Sequence, residues 1–295
     1  MLAGVLWGTS GTAQALSPYP GSPLGLGAAR IAVAGLVLGG VALVRTSRDG
    51  LRGLARRGVR GYALAGMLAL AAYQGSFFYA TRTSGVVVGT LTAIGSAPVL
   101  AGLLGLVTGD RPTRRWLVST ALVLAGLVLL VVPAGGGIGA TPLGVAAGIG
   151  AGASYAGYTW TSRRMLDAGV PPDAALGAMF VGGALVLVPL APVATAGWFA
   201  HAPGVVAYLG LVATALPYLV WIRGVARTAP ALTTTLSVTE PLTATLLGAA
   251  LLHEPMTAAR LAGAGLICAG LVSAVARGRG SRAGPGTRPG GPPPG

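Results

Sequence analysis

Residues 237–272 read SVTEPLTATLLGAALLHEPMTAARLAGAGLICAGLV, and residues 94–128 read IGSAPVLAGLLGLVTGDRPTRRWLVSTALVLAGLV. The two stretches match in order. Ala97-Pro98 stands where Glu240-Pro241 does, and Asp110-Arg111-Pro112 where His253-Glu254-Pro255 does. Ala125-Gly126-Leu127-Val128 then answers Ala269-Gly270-Leu271-Val272. Upstream, Leu6-Trp7-Gly8-Thr9 parallels Ser154-Tyr155-Ala156-Gly157. The chain is therefore doubled, and what lies around these stretches decides what is doubled.

Around them the chain is blocks of apolar residues. Hydrophobic residues make up 53% and charged residues 9%, with mean hydropathy +0.75. A soluble chain carries about 25% charged residues. The blocks run 1–16, 24–44, 61–80, 85–107, 116–132, 143–160, 174–193, 204–222, 231–252 and 261–276. Most approach the roughly 20 residues a helix needs to cross a bilayer, and backbone in lipid must bond internally. The expected fold class is an all-α integral membrane protein of ten transmembrane helices. Each repeat then holds five helices, over 1–132 and 141–276, followed by a disordered cytoplasmic tail, 277–295. An odd number inverts the second repeat relative to the first, which is a transporter signature. The first block lacks a basic leader and reads as a retained helix.

Charge sets the orientation. All twenty basic residues are arginine. With the N-terminus cytoplasmic, seventeen fall in inside loops and the tail, two (Arg82 and Arg260) fall outside, and Arg30 lies within a helix. This is the positive-inside pattern of a multi-pass plasma-membrane protein with both termini cytoplasmic. It is not the clustered basic groove of a nucleic-acid partner, despite a net charge of +14. Lysine is absent, so Walker A and Schiff-base chemistry are excluded, and no cofactor or metal is called for. A homodimer is left open.

The opening Leu6-Trp7-Gly8-Thr9, the helix with Glu240-Pro241, the Leu252-His253-Glu254-Pro255 turn and the closing helix with Gly263 and Ala269-Gly270-Leu271 resemble the EamA family of the drug/metabolite transporter superfamily. That family usually has Gly-Glu where this chain has His253-Glu254. The resemblance implies alternating access and export or exchange of amino acids or related metabolites.

Polar groups inside the blocks are the candidate solute-binding residues, because a central charge costs roughly 2.5–3.5 kcal/mol on translocon scales. Glu240 is the deepest acid; Thr233, Ser237, Glu240 and Thr243 fall on one face of a continuous helix. Either Glu240 serves transport, with proton coupling as one energy source, or it pins a neighbouring helix. Trp7, Ser10 and Gln14 share a face, with Gln74, Tyr155 and Tyr158 at comparable depth. Thr214, Tyr218 and Trp221 share another face beside Pro217. Trp160, Trp198 and Trp221 read more readily as interfacial anchors. Arg30 could partner Glu240 or a solute carboxylate, but its long stem favours snorkelling to the headgroups. Gly4/Gly8, Gly35/Gly39 and Gly148/Gly152 permit close helix contact, although so glycine-rich a chain makes such pairs by accident. Two other readings compete with a transporter: a non-transporting scaffold, and a polytopic enzyme, for which clustered ligands or paired acids are lacking.

Overall fold

The computed structural model describes residues 1–17, 19–109, 112–131, 140–253 and 255–276. Every regular element in it is helical. The helices are α1 (Leu2–Ala15), α2 (Pro23–Arg45), α3 (Arg48–Arg52), α4 (Arg60–Thr108), α5 (Arg114–Val131), α6 (Pro142–Asp167) and α7 (Pro172–Leu190). They continue as α8 (Pro192–His201), α9 (Pro203–Gly210), α10 (Leu216–Val225), α11 (Pro230–Ser237), α12 (Thr239–Leu252) and α13 (Ala258–Val275). Proline opens α2, α6, α7, α8, α9 and α11, where its missing N–H has no intrahelical partner to lose. Seven stretches are long and apolar enough to cross a membrane: α2, the two parts of α4, α7, Pro203–Val225, Pro230–Leu252 and α13. The remaining apolar blocks fold as α1, α5 and α6. Asp110, Glu254 and the 277–295 tail lie outside the described residues.

The surface is inverted relative to a water-soluble protein. Leu36, Val44, Leu68, Val107, Leu185 and Val272 point outward, while Gln74, Thr159, Ser162 and Thr235 are buried. Lipid is the solvent that favours this arrangement.

Three helix breaks interrupt the bundle. Gly85, at φ 80°, divides α4 into two rods. Pro217 cannot bond the carbonyl of Ala213, and the backbone passes through a π-helical stretch, Leu211–Ala215, where Leu216 N–H reaches Leu211 O and Thr214 Oγ1 donates to Leu209 O at 2.6 Å. Pro241 likewise cannot bond the carbonyl of Ser237, where α11 ends. The continuous Thr233-to-Thr243 stripe is therefore corrected to two half-helices meeting at Val238. Two short helices, α3 and α8, lie between the apolar blocks and escape a reading tuned to 20-residue runs.

Contacts are exchanged between the halves. α1 packs on α12 and α6 packs on the second rod of α4. A Cβ at Gly4 would lie 3.1 Å from Glu240 N; a Cβ at Gly152 would lie 3.0 Å from Ala97 N, the residue that precedes Pro98 as Glu240 precedes Pro241. α5 packs on α13 in the same reciprocal way. A Cβ at Gly126 would lie 2.6 Å from Gly263 O, and one at Gly270 2.8 Å from Ser119 O. On α2, a Cβ at Gly35 would come within 2.9 Å of Phe180 O on α7. The three glycine pairs are thus contact surfaces, not accidents of composition.

Candidate functional site

Two of these breaks, at Leu211–Ala215 and at Val238, meet at one polar chamber of about 30 Å³. Each wall comes from a different element. α1 contributes Trp7 and Ser10, α2 Arg30, and the first rod of α4 Tyr73 and Gln74. Tyr155 and Tyr158 of α6, Thr214, Tyr218 of α10 and Glu240 in the first turn of α12 complete it. Glu240 is placed there by the glycine face of α1: Gly4 and Gly8 let that helix lie directly on the α12 backbone.

The aromatic groups form a connected set. Tyr155 and Tyr158, three residues apart on α6, stack at 4.9 Å. Tyr158 OH bonds Tyr218 OH at 2.9 Å, and Trp7 lies 5.0 Å from the Tyr218 ring. Tyr155 OH bonds Ser237 Oγ at the end of α11. Buried hydroxyls need such partners. Two donors of the chamber-lining residues have none among the described residues: the indole Nε1 of Trp7 and the Nε of Arg30.

Arg30 donates from Nη2 to Gln74 Oε1 at 3.1 Å. Its guanidinium is thus turned into the chamber, which corrects the snorkelling reading; Gln74 gives it an internal acceptor that the headgroup region would otherwise supply. Arg30 and Glu240 line the same chamber, yet among the described residues no ion pair of 4.0 Å or less joins them.

The chamber opens into a cleft of about 470 Å³, with Trp7, Ser10, Arg30, Tyr73 and Glu240 common to both. Gln14 lines the cleft and is exposed, so it stands at the mouth and not at the chamber. Thr233 bonds Thr228 Oγ1 at 2.8 Å and lines neither space. Ser237 touches the site only through Tyr155. Thr243 packs against Gly8. Trp221 is buried against Tyr158 and Tyr218 at 5.7 and 5.4 Å, which corrects its reading as an interfacial anchor. Tyr73 was not anticipated. Its signal is the spacing to Phe77, four residues on and stacked at 5.9 Å, which marks an aromatic face continuing up the cleft. Among the described residues no three His, Cys, Asp or Glu side chains group as a metal site.

Towards the arginine-rich end, side-chain hydrogen bonds tie α5 to α11. Trp116 Nε1 donates to Thr235 Oγ1 at 3.1 Å, and Thr120 bonds the same hydroxyl at 3.0 Å. Beside Trp116 lies a second cavity, of about 390 Å³.

The sequence matches the EamA-like transporter family over residues 1–132 and 142–276. It is 35% identical over 279 residues to the "Uncharacterized transporter YwfM" of Bacillus subtilis (strain 168), covering 92% of this chain and 90% of that one. It is 31% identical over 233 residues to the "Uncharacterized protein PA1977" of Pseudomonas aeruginosa, covering 76% and 77%. A solved crystal structure superposes with TM-score 0.77 over 92% of this chain and 93% of the other; at 23% identity that likeness concerns the fold alone.

Proposed function

This chain belongs to the EamA-like transporter family of membrane transporters, and on that premise we propose that it is a secondary exporter of amino acids or related small metabolites. The observation that carries the substrate class is the pairing of Arg30 and Glu240 on one aromatic chamber without an ion pair between them. A zwitterion complements both. Its carboxylate meets the Arg30 guanidinium beside Gln74, and its ammonium meets Glu240 among the faces of Trp7 and Tyr218. The adjoining 470 Å³ cleft has the volume of an ordinary small-molecule site.

The proposed mechanism is alternating access through two inverted five-helix repeats, 1–132 and 141–276, making ten spans. The reciprocal glycine contacts support the repeat, and the two cavities at opposite ends support a pathway closed at one end at a time. The arginine-rich end is cytoplasmic in this reading, with both termini on the cytoplasmic side of the plasma membrane. Glu240 exchanges its proton for the substrate ammonium, which couples export to proton movement. A thermal-shift screen of the purified protein against amino acids and metabolites identifies the solute, since binding to the native state raises stability by mass action. Flux of the identified solute in proteoliposomes then tests transport; a solute that binds but never crosses would contradict it. Alkaline phosphatase fused after Gly136 is expected to be active and after Gly278 inactive, and the reverse pattern would overturn the topology.

A further inference from the structure

The second cavity lies among the last turn of α4, the first turns of α5 and α11 and the final turns of α6 and α13. It has no lining residue in common with the chamber. Its position is the repeat counterpart of the cleft: Ala101, Trp116 and Ala274 line the cavity where Ala244, Arg260 and Leu130 line the cleft. Two helix caps fix that register independently. Thr113 Oγ1 accepts from Trp116 N at 3.1 Å, and Thr257 Oγ1 accepts from Arg260 N at 3.3 Å.

The chemistry of the two spaces differs. The cleft contains Glu240, whereas the described lining of the cavity contains no acid. Asp110 and Arg111, which follow Gly109 in the chain, lie outside the described residues. Arg115 enters the cavity, steadied by donation from Nε to Ser273 O at 2.5 Å across the α5–α13 contact. Its two Nη groups have no protein partner among the described residues. The Trp160 Nε1 is buried and equally without one, and the Arg164 guanidinium lies 5.1 Å over the Trp160 ring. One fixed guanidinium with unpartnered Nη groups, beside two indole rings, suits a carboxylate carried on an apolar body.

We propose that this cavity is a separate loading site for the carboxylate end of the solute, with Arg115 holding the carboxylate and Trp116 and Trp160 flanking the apolar part. The inference rests on the amino-acid transporter reading. Trp116 also ties the cavity wall to α11, since its Nε1 donates to Thr235 Oγ1.

The five tryptophans allow a site-resolved test. The full chain is labelled with fluorotryptophan, the fluorine resonances are assigned by single Trp→Phe variants, and L-leucine, isocaproate and isoamylamine are titrated in detergent. Leucine and isocaproate, which carry the carboxylate, are expected to shift the Trp116 and Trp160 resonances saturably; isoamylamine, which lacks it, is not. Arg115→Gln is expected to raise half-saturation roughly tenfold or more, the scale of a hydrogen bond to a charged group. Arg45→Gln, at the same end but outside the cavity, is expected to leave it unchanged. No saturable shift with either acid, equal shifts with the amine, or unchanged half-saturation in Arg115→Gln overturns the site. The probe series uses the unmodified sequence, so the test holds even if Arg115→Gln folds poorly. Phosphatidylglycerol that shifts both resonances and blocks isocaproate would place a lipid there and also overturn it. Leucine flux that fails while the acid shifts persist counts against the transport reading and leaves the site standing.

Discussion

Arg30 gives its closest side-chain hydrogen bond to Gln74, Nη2 to Oε1 at 3.1 Å, and not to Glu240 across the same chamber. An amide acceptor orients the guanidinium without neutralising it. The two charges therefore stay separately available to a solute with both. If Arg30 closed on Glu240, the chamber would be self-satisfied and a zwitterion would have to break an ion pair to enter.

Gln74→Leu removes the acceptor and keeps the volume near constant. Arg30 is then expected to pair with Glu240, weakening solute affinity by roughly tenfold, the scale of one hydrogen bond to a charged group. Solute titrations by thermal shift measure this. Unchanged affinity would mean that Gln74 does not orient Arg30.

The Tyr158–Tyr218 hydroxyl pair is buried, with an O···O distance of 2.9 Å. Tyr158→Phe and Tyr218→Phe each leave one hydroxyl unsatisfied and are expected to cost about 1–3 kcal/mol. The double Phe variant removes both partners and is expected to recover part of that loss, giving a coupling energy of about 1 kcal/mol. Strictly additive losses in detergent unfolding would show that the pair contributes no mutual stabilisation.

Gly8 and Gly11 lie on the same short helix, yet face different surroundings. A Cβ at Gly8 would lie 2.7 Å from Glu240 O and 3.0 Å from Ala244 N, both backbone atoms that cannot swing away, whereas nothing lies within 4 Å of a Cβ at Gly11. Gly8→Ala is expected to cost about 1–3 kcal/mol and to displace Glu240. Gly11→Ala is expected to be neutral or slightly stabilising through helix propensity. Membrane abundance and unfolding temperature of the two variants report the difference. Equal behaviour would contradict the α1–α12 contact.

Much of this architecture can be read from the chain because apolar blocks of about 20 residues have few folded outcomes. The doubled Pro98 and Pro241 motifs likewise disclose the repeat before any contact is known. What escaped was the direction of faces. Apolar and aromatic residues occur on both the lipid-facing and the interior faces of these helices, so Tyr73 cannot be told from a lipid-facing tyrosine, nor Trp221 from an interfacial anchor, until the neighbouring helices are in place. The inward turn of Arg30 is hidden in the sequence because its acceptor, Gln74, is 44 residues away in the chain. The break after Ser237 was legible in principle, since Pro241 cannot bond the carbonyl four residues back. One further local conflict is visible. His253, where the family usually has glycine, ends α12 in the left-handed region at φ 56°, as Gly109 ends α4 at φ 93°. Glycine is the residue that adopts this conformation without steric cost.

Glu240→Gln tests the central claim most directly. The amide keeps the shape and part of the hydrogen bonding of the carboxylate, and removes its charge and its exchangeable proton. In proteoliposomes, with the solute found by thermal shift and a pH-sensitive dye enclosed, the variant is expected to insert at normal abundance. Net flux should fall strongly and solute-driven proton movement should be lost. Flux and proton movement at wild-type levels in Glu240→Gln, with a defect only in a bulkier apolar change such as Glu240→Leu, would contradict the account and leave Glu240 a packing residue between α1 and α12.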